Sequence, residues 1–284
     1  MIENIDNLEC VKVEKKNGIS WVYMNRPAKK NAMNPTLHRE MDQVLDYLEF
    51  DKETKVVVIA GAGGNFSAGQ DLKEFFRGME GKQAEFTEIQ RIANRWRWDR
   101  LYMYDKPTIC MVEGFCAGGA FMQLIATDFA VVADDAVFSL SEVNWGIIPG
   151  AYVAKAVADA LLYRHALYYA CLGDPFDGKE AVRIGLANIS VPQAQLFAET
   201  EKLAQKLMAK SPAVLRATKH AIRQVRTMDT GQAYDYLAAK NGAMIASDPE
   251  RSYHTGLSQF LDKKSYRPMY EPFELGTVPK QDPK

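Results

Sequence analysis

The sequence has no long hydrophobic run, no surplus of either charge and little cysteine, and each shortage removes a class of function. No apolar stretch approaches the ~20 residues that cross a bilayer, so no membrane partner is expected. Lys and Arg number 35 against 36 Asp and Glu, a formal net charge of -1. A protein whose main partner is nucleic acid carries a basic excess that this chain lacks. A local basic patch for a phosphorylated small molecule stays open. The four cysteines, Cys10, Cys110, Cys116 and Cys171, form no CxxC pair, so the spacing of a zinc site is missing. Cys116 lies in a glycine cluster where a nucleophile is conceivable, but its neighbours Phe115 and Ala117 suggest a small buried residue. The N-terminal MIENIDNLEC is acidic and has no apolar core, so no secretory signal is expected and a reducing, cytoplasmic setting is.

Two phosphate-binding signatures and one hydrolase signature are also missing. Gly61-Ala62-Gly63-Gly64 follows an apolar run, yet Phe66 stands where a dinucleotide-binding turn needs its third glycine. No Gly-Lys-Ser/Thr loop and no G-x-S-x-G elbow occur. His38, His165 and His220 fall in predicted helices and His254 precedes Thr255-Gly256, none beside a Ser or Cys in a nucleophile setting. A hydrolase triad is therefore poorly supported.

What is present is a chain of 284 residues, 47% hydrophobic, ample for one large domain or a domain with an appendage. Cys10–Glu14 and Ile19–Met24 alternate on either side of Asn17-Gly18, the signature of a hairpin. The loop NRPAKKNAM follows, basic through Arg26, Lys29 and Lys30, with Pro27 keeping it from being helical. Leu37, Met41, Val44, Leu45 and Leu48 fall at helical spacing, with Asn34 or Thr36 as the cap. Val56–Ala60, Pro107–Val112 and Phe129–Ala133 are short continuous apolar runs, as in strands covered on both faces, and Ala136–Leu140 is a possible fourth. A helix is predicted from Glu85 to Tyr104, with Trp96 and Trp98 as core residues. Strand, helix, buried strand implies right-handed crossovers and a layered α/β architecture. Beyond Gly150 the pattern turns helical. The expected organisation is a core over 1–190, a helical region over 191–268 and a loose tail over 269–284, where Pro272, Pro279 and Pro283 cluster.

Chemistry is most legible between Gly114 and Gly150. Two loops after buried strands carry small residues, Ala68-Gly69-Gln70 and Ala117-Gly118-Gly119. One backbone N–H from each can converge on a single oxygen and stabilise charge on a carbonyl; the alternative is two ordinary strand-to-helix turns. Glu142 stands among Leu140, Val143 and Trp145. A carboxylate in such a wall is desolvated and suited to proton transfer, whereas an exposed strand end is the commoner fate of Glu.

NRPAKKNAM, FSAGQDLKEF, GFCAGGAF and SEVNWGIIPG, in that order and spacing, resemble the four diagnostic blocks of the crotonase (enoyl-CoA hydratase/isomerase) superfamily. The similarity runs from about Val11 to Pro268 and includes GLSQFLDKKSYRP. Within the superfamily the chain looks most like the hydroxycinnamoyl-CoA (feruloyl-CoA) hydratase-lyases. The resemblance implies a ββα spiral core with a C-terminal helical trimerisation region, assembled as a homotrimer or a dimer of trimers. It implies an acyl-CoA thioester substrate, with coenzyme A entering as part of that substrate and no separate cofactor or metal. By motif position it implies Gln70 and Gly119 as oxyanion donors and Glu142 as the acid/base. Lys29, Ala68, Leu72, Ser141 and Trp145 would contact CoA, with the adenine and phosphate ends against the basic loop. Simple hydratases carry a second glutamate three residues beyond the donor glycine and the lyases a serine; this chain has Met122. Two tyrosines hold the phenolic hydroxyl in the lyases; the matching positions are Phe75 and Ala238, with Tyr234 and Tyr236 on the same predicted helix as Ala238. The implied reaction is hydration of an aryl-propenoyl-CoA, then retro-aldol cleavage to an aldehyde and acetyl-CoA. Hydration alone of a bulky non-phenolic enoyl-CoA, a thioesterase or isomerase on the same fold, and a non-catalytic CoA-binding protein are the alternatives.

Overall fold

The computed structural model describes Ile5 and residues 7–276. Among these residues the strands are β1 (Val11–Lys16), β2 (Ile19–Met24), β3 (Val56–Gly61), β4 (Thr108–Val112), β5 (Phe115–Ala117), β6 (Phe129–Ala133), β7 (Val137–Ser139) and β8 (Ile189–Val191). Six form one sheet in the order β1-β2-β3-β4-β6-β8. Only the β1–β2 hairpin is antiparallel; the remaining pairs are parallel. Asn17 and Gly18 take φ of 53° and 81°, the left-handed pair that a two-residue hairpin turn needs. Every residue of β3 and of β4 is buried, which is why both read as unbroken apolar runs rather than alternating ones.

Helices cover the sheet. Asn34 caps α1 (Pro35–Phe50), its Oδ1 accepting from Leu37 N–H at 2.9 Å. The apolar stripe of α1 places Leu37, Met41, Val44, Leu45 and Leu48 fully inside, each burial contributing roughly 2 kcal/mol of transfer free energy. Pro27 does not prevent helical structure. It begins a single 3₁₀ turn, Pro27–Lys29, at a position where a missing N–H is harmless.

The helix expected over Glu85–Tyr104 is in two parts. Helix α2 (Gln83–Asn94) passes into a π-helical turn, Arg95–Arg100. A π turn is wider than the period used to read the sequence, and it turns the consecutive residues Trp96 and Arg97 both inward. Helices α3 (Ala120–Ala126), α4 (Val153–Ala160), α5 (Tyr163–Leu172) and α6 (Gly178–Arg183) follow.

The chain divides into two compact units, the first comprising Met1–Tyr104 with Thr108–Leu203, the second Asp105–Pro107 with Ala204–Lys284. The division falls inside α7 (Gln193–Met208), beyond residue 190. One reason is that Phe197 of α7 stacks on Trp21 of β2, with ring centroids 4.3 Å apart. The second unit holds α8 (Pro212–Val225), α9 (Thr230–Ser247) and α10 (Ser252–Leu257). Asp105–Pro107 joins it through Arg216, whose guanidinium meets Asp105 at 3.3 Å, and Lys219, which donates to the Lys106 carbonyl at 2.8 Å. The first part of the expected tail folds back within this unit: Gln259 and Glu274 exchange two hydrogen bonds of 2.9 Å. Residues 277–284 of that tail lie outside the described residues. No described helix is long and apolar enough to cross a membrane.

Candidate active site

The site hangs from a second, small sheet. β5 and β7 pair in parallel, Cys116 opposite Phe138. Ser67 adds to one edge opposite Cys116, and Phe176 to the other opposite Phe138. One row therefore reads Ser67, Cys116, Phe138, Phe176. Its hydrogen bonds are short: Ser67 N–H to Phe115 O at 2.8 Å, Ala117 N–H to Ser67 O at 3.0 Å, and 2.9 Å both ways between Phe138 and Phe176. A few residues past the row, three chain segments leave it together and carry Gln70, Gly119 and Glu142. The Ala136–Leu140 expectation is met by β7, while β5 was read as a glycine-rich turn.

Neither expected donor has a protein acceptor among the described residues. Gln70 bridges Met33, but the bridge uses Gly69 O and Asp71 N–H, so the Gln70 N–H points to the other side. Gly118 N–H is spent on Ser139 O at 3.0 Å; Gly119 N–H has no acceptor among the described residues. The loops touch: a Cβ added to Gly119 would lie 3.3 Å from Gln70 Cγ, and one on Gly69 would lie 3.4 Å from Gly119 N.

Glu142 sits on a 3₁₀ turn, Ser141–Trp145, directly after β7. Its carboxylate covers Gly118, with Oε1 3.2 Å from where a Cβ would stand there. Oε2 is buried without a partner among the described residues. Burial raises the Glu142 carboxyl above its usual range; a bond from its own backbone N–H acts weakly the other way.

These groups face one cleft of about 440 Å³. Ala68, Gln70, Leu72, Phe75, Gly119, Ser141, Glu142 and Trp145 all line it, and Glu142 is its one acid. The mouth is apolar: Trp145 is 66% exposed and Ile148 80%. Phe75 is buried against His38, Phe76 and Phe86. Met122 is fully buried in α3, and Lys29 stands exposed on its short turn; neither is among the lining residues. Tyr234, Tyr236 and Ala238 belong to α9 of the second unit, Tyr234 and Ala238 exposed and Tyr236 half-buried. Arg26 does not share the role expected of the basic loop. It is half-buried and bonds Asp71 at 2.8 Å, Glu74 at 2.6 Å and the Ala32 carbonyl at 2.6 Å, which leaves Lys29 and Lys30 as the loop's cations; Lys30 lies 3.9 Å from the centre of the Phe115 ring.

Behind the donors lies a polar cluster that the sequence concealed. Trp96 Nε1–H donates to His38 Nδ1 at 3.0 Å, and His38 Nε2 lies 2.8 Å from the Gln70 side-chain amide. An indole nitrogen only donates, so Nδ1 accepts and the proton of a neutral His38 is on Nε2, facing the amide oxygen. Burial, aided by the Arg97 charge, holds the His38 imidazole well below its usual range and hence neutral. Arg97 is 2% exposed and lines the cleft. Its Nε donates to Ala93 O at 2.9 Å and Nη1 to Gly119 O at 3.2 Å. Both terminal nitrogens lie 3.2 Å from the Gln70 amide; turning that amide over would please Arg97 but set its nitrogen against Nε2–H of His38. Burial pushes Arg97 down to about 9.

The model of the family described as enoyl-CoA hydratase/isomerase matches residues 14–269. The chain belongs to that family. Among relatives, the hydroxycinnamoyl-CoA hydratase-lyase of Pseudomonas fluorescens is 48% identical over 261 residues, covering 92% of this chain and 95% of that one. The carnitinyl-CoA dehydratase of Escherichia coli K12 is 31% identical over 234 residues, covering 81% and 86%. An enoyl-CoA hydratase subunit from Geobacillus kaustophilus superposes with a TM-score of 0.83 at 25% identity, covering 92% of this chain and 98% of that one. The mixed α/β core with C-terminal helices is thus the crotonase-like fold expected from the sequence.

Proposed function

We propose that this protein is a hydratase-lyase of the hydroxycinnamoyl-CoA type, acting on an aryl-propenoyl-CoA thioester. The 48% identity to a relative of that name carries the reading. Within the cleft it is supported by a carboxylate, the one acid among the described lining residues, beside two N–H donors with no acceptor among the described residues.

The thioester oxygen docks between the N–H groups of Gln70 and Gly119, each such donor contributing ~3 kcal/mol to the charged intermediate. Ionised Glu142 takes a proton from water as the water oxygen bonds to Cβ, and the double-bond electrons move onto the thioester oxygen. Glu142 then returns the proton to Cα. For cleavage, the same carboxylate removes the β-hydroxyl proton. The Cα–Cβ bond breaks, the aldehyde leaves, and its bonding electrons form the enolate of acetyl-CoA, which Glu142 protonates at Cα. One acid serves both halves because each takes up a proton and gives it back.

Ala68, Leu72, Ser141 and Trp145 are assigned to the CoA chain and Lys29 to its phosphates. Phe75 is assigned to the acyl group, with Met122, Tyr234, Tyr236 and Ala238 as further candidates. Assembly as a homotrimer or dimer of trimers and a cytoplasmic location belong to the same reading and rest on the family likeness. One observation favours hydration without cleavage for some substrates: the Phe75 ring sits in an aromatic cluster and offers a phenol no hydrogen bond.

Incubation with feruloyl-CoA is expected to release the aromatic aldehyde and acetyl-CoA, and Glu142→Gln to abolish both hydration and cleavage. Aldehyde formation at the parental rate in that variant overturns the mechanism. Turnover of non-phenolic enoyl-CoAs alone favours the hydration-only reading.

A further inference from the structure

The cleft wall contains a buried cation that the hydration and cleavage steps above do not use. Arg97 is paired with no carboxylate among the described residues; its hydrogen-bond partners are the carbonyls of Ala93 and Gly119 and the Asn94 side chain at 3.5 Å, and its terminal nitrogens lie 3.2 Å from the Gln70 amide. Taking a guanidinium out of water without a counter-charge is costly, and such groups are rare unless something compensates. The two residues it touches at the cleft are the two expected oxyanion donors, Gly119 and Gln70. Its Nη1 holds the Gly119 carbonyl, which anchors the peptide unit that follows the donor N–H and restrains the Cα that joins the two. Its terminal nitrogens abut the Gln70 side chain, which His38 fixes from the other side and Trp96 in turn fixes behind it.

We propose that Arg97 is a positioning residue for the oxyanion donors, holding the Gly119 carbonyl while setting a fixed positive charge behind Gly119 and Gln70. The inference rests on the hydratase-lyase reading for the identity of the anion, an enolate oxygen. In a site without water a pre-set cation strengthens binding of the charged intermediate over the neutral thioester, so its effect falls on kcat rather than on KM. Arg97 contacts the reacting oxygen only through Gly119 and Gln70. Its removal is therefore milder than loss of a donor itself, about 10- to 100-fold in kcat against the 10²- to 10³-fold of a deleted donor.

The test compares Arg97→Met and Arg97→Lys in the full chain by three measurements. Turnover of feruloyl-CoA separates kcat from KM. Binding of the saturated analogue dihydroferuloyl-CoA reports the neutral ground state. The ultraviolet absorbance of bound acetoacetyl-CoA reports how much of its acidic β-keto thioester is held as the enolate. In Arg97→Met, kcat falls about 10- to 100-fold and the enolate absorbance falls about tenfold or more, while KM and analogue binding stay within about threefold. Arg97→Lys, which keeps the charge, recovers part of both. The proposal is overturned if Arg97→Met keeps parental kcat and enolate absorbance, if analogue binding collapses together with kcat, or if Arg97→Lys is no better than Arg97→Met. A parent protein that turns over no enoyl-CoA overturns the hydratase-lyase reading instead, and the acetoacetyl-CoA absorbance then still decides the role of Arg97.

Discussion

Gly118→Ala sets a methyl group tightly against the carboxylate of Glu142. Two effects follow, and they can be separated. Gly118 has φ +51°, and an L-residue held there is strained by roughly 1–2 kcal/mol. At roughly 2–4 °C per kcal/mol for a chain of this size, Tm falls by roughly 2–8 °C. The second effect is a collision: the new Cβ lies 3.2 Å from Glu142 Oε1 and 3.5 Å from Cδ. The carboxylate retreats by a few tenths of an ångström, away from the water and Cα that the proposed mechanism assigns to it. Since a misplacement near 1 Å can cost ~100-fold, a loss of about 10-fold in kcat is expected, with little change in KM. Gly185→Ala is the control. That residue has φ +82° with nothing within 4 Å of the added Cβ, so it carries the strain and no collision. Thermal unfolding should show similar Tm shifts in both variants, and loss of the enoyl-thioester absorbance should show slowed hydration only in Gly118→Ala. Parental kcat in a folded Gly118→Ala protein would refute the idea that the placement of Glu142 over Gly118 matters to the chemistry.

Four further outcomes are expected. Burial raises the Glu142 carboxyl above the ordinary 4.5, and in the proposed mechanism the ionised form is the base, so kcat/KM falls as pH drops through a point above 4.5. Because a raised carboxyl favours folding only while protonated, Glu142→Gln should be more stable than the parent at pH 7, with the difference closing below pH 4.5 in melts across pH. Arg26→Met removes the cation from the buried pair with Asp71, whose side chains are 12% and 9% exposed, and denaturant titration should show a loss of about 3 kcal/mol. Burial alone would raise the Asp71 carboxyl, but bonds from Glu74 N–H and Arg26 hold it below 3.8; the stability it contributes is present above the unfolded value and lost as pH falls through the lowered one, so the variant and parent converge in acid. Finally, a thiol reagent should modify Cys171 alone in the folded protein, since Cys10, Cys110 and Cys116 are buried and burial pushes their thiols up, Cys10 to about 11. Rapid reaction at Cys116 would contradict its place in the small sheet.

The sequence was most readable where burial is local and continuous. β3, β4 and β6 announced themselves as apolar runs because both their faces are covered, and the Asn17-Gly18 turn needed only its own two residues. β5 was missed because its three residues, Phe115–Ala117, are a strand only by virtue of partners at Ser67 and Phe138, far away in sequence. Gln70, Gly119 and Glu142 were legible as chemistry, but that they share a cleft comes from that non-local pairing. Arg97 was invisible for a different reason. Read at the α-helical period between Trp96 and Trp98 it belongs to an amphipathic helix's surface, and the π turn that sends it inward leaves no mark on the pattern. His38 likewise read as an ordinary helical residue, since its two partners, Trp96 and Gln70, lie on other elements.

The row of Ser67, Cys116, Phe138 and Phe176 also sets a timetable. Its members are made one after another, and Phe176 emerges from the ribosome well after Gln70, Gly119 and Glu142 have all been joined to the chain. Until Phe176 arrives, β7 lacks its outer neighbour and the register that aims the segment carrying Glu142 is incomplete. A chain halted before that point contains Gln70, Gly119 and Glu142 but lacks the residue that borders β7. The outer edge of the small sheet therefore closes only after the segments that carry Gln70, Gly119 and Glu142 have all been made.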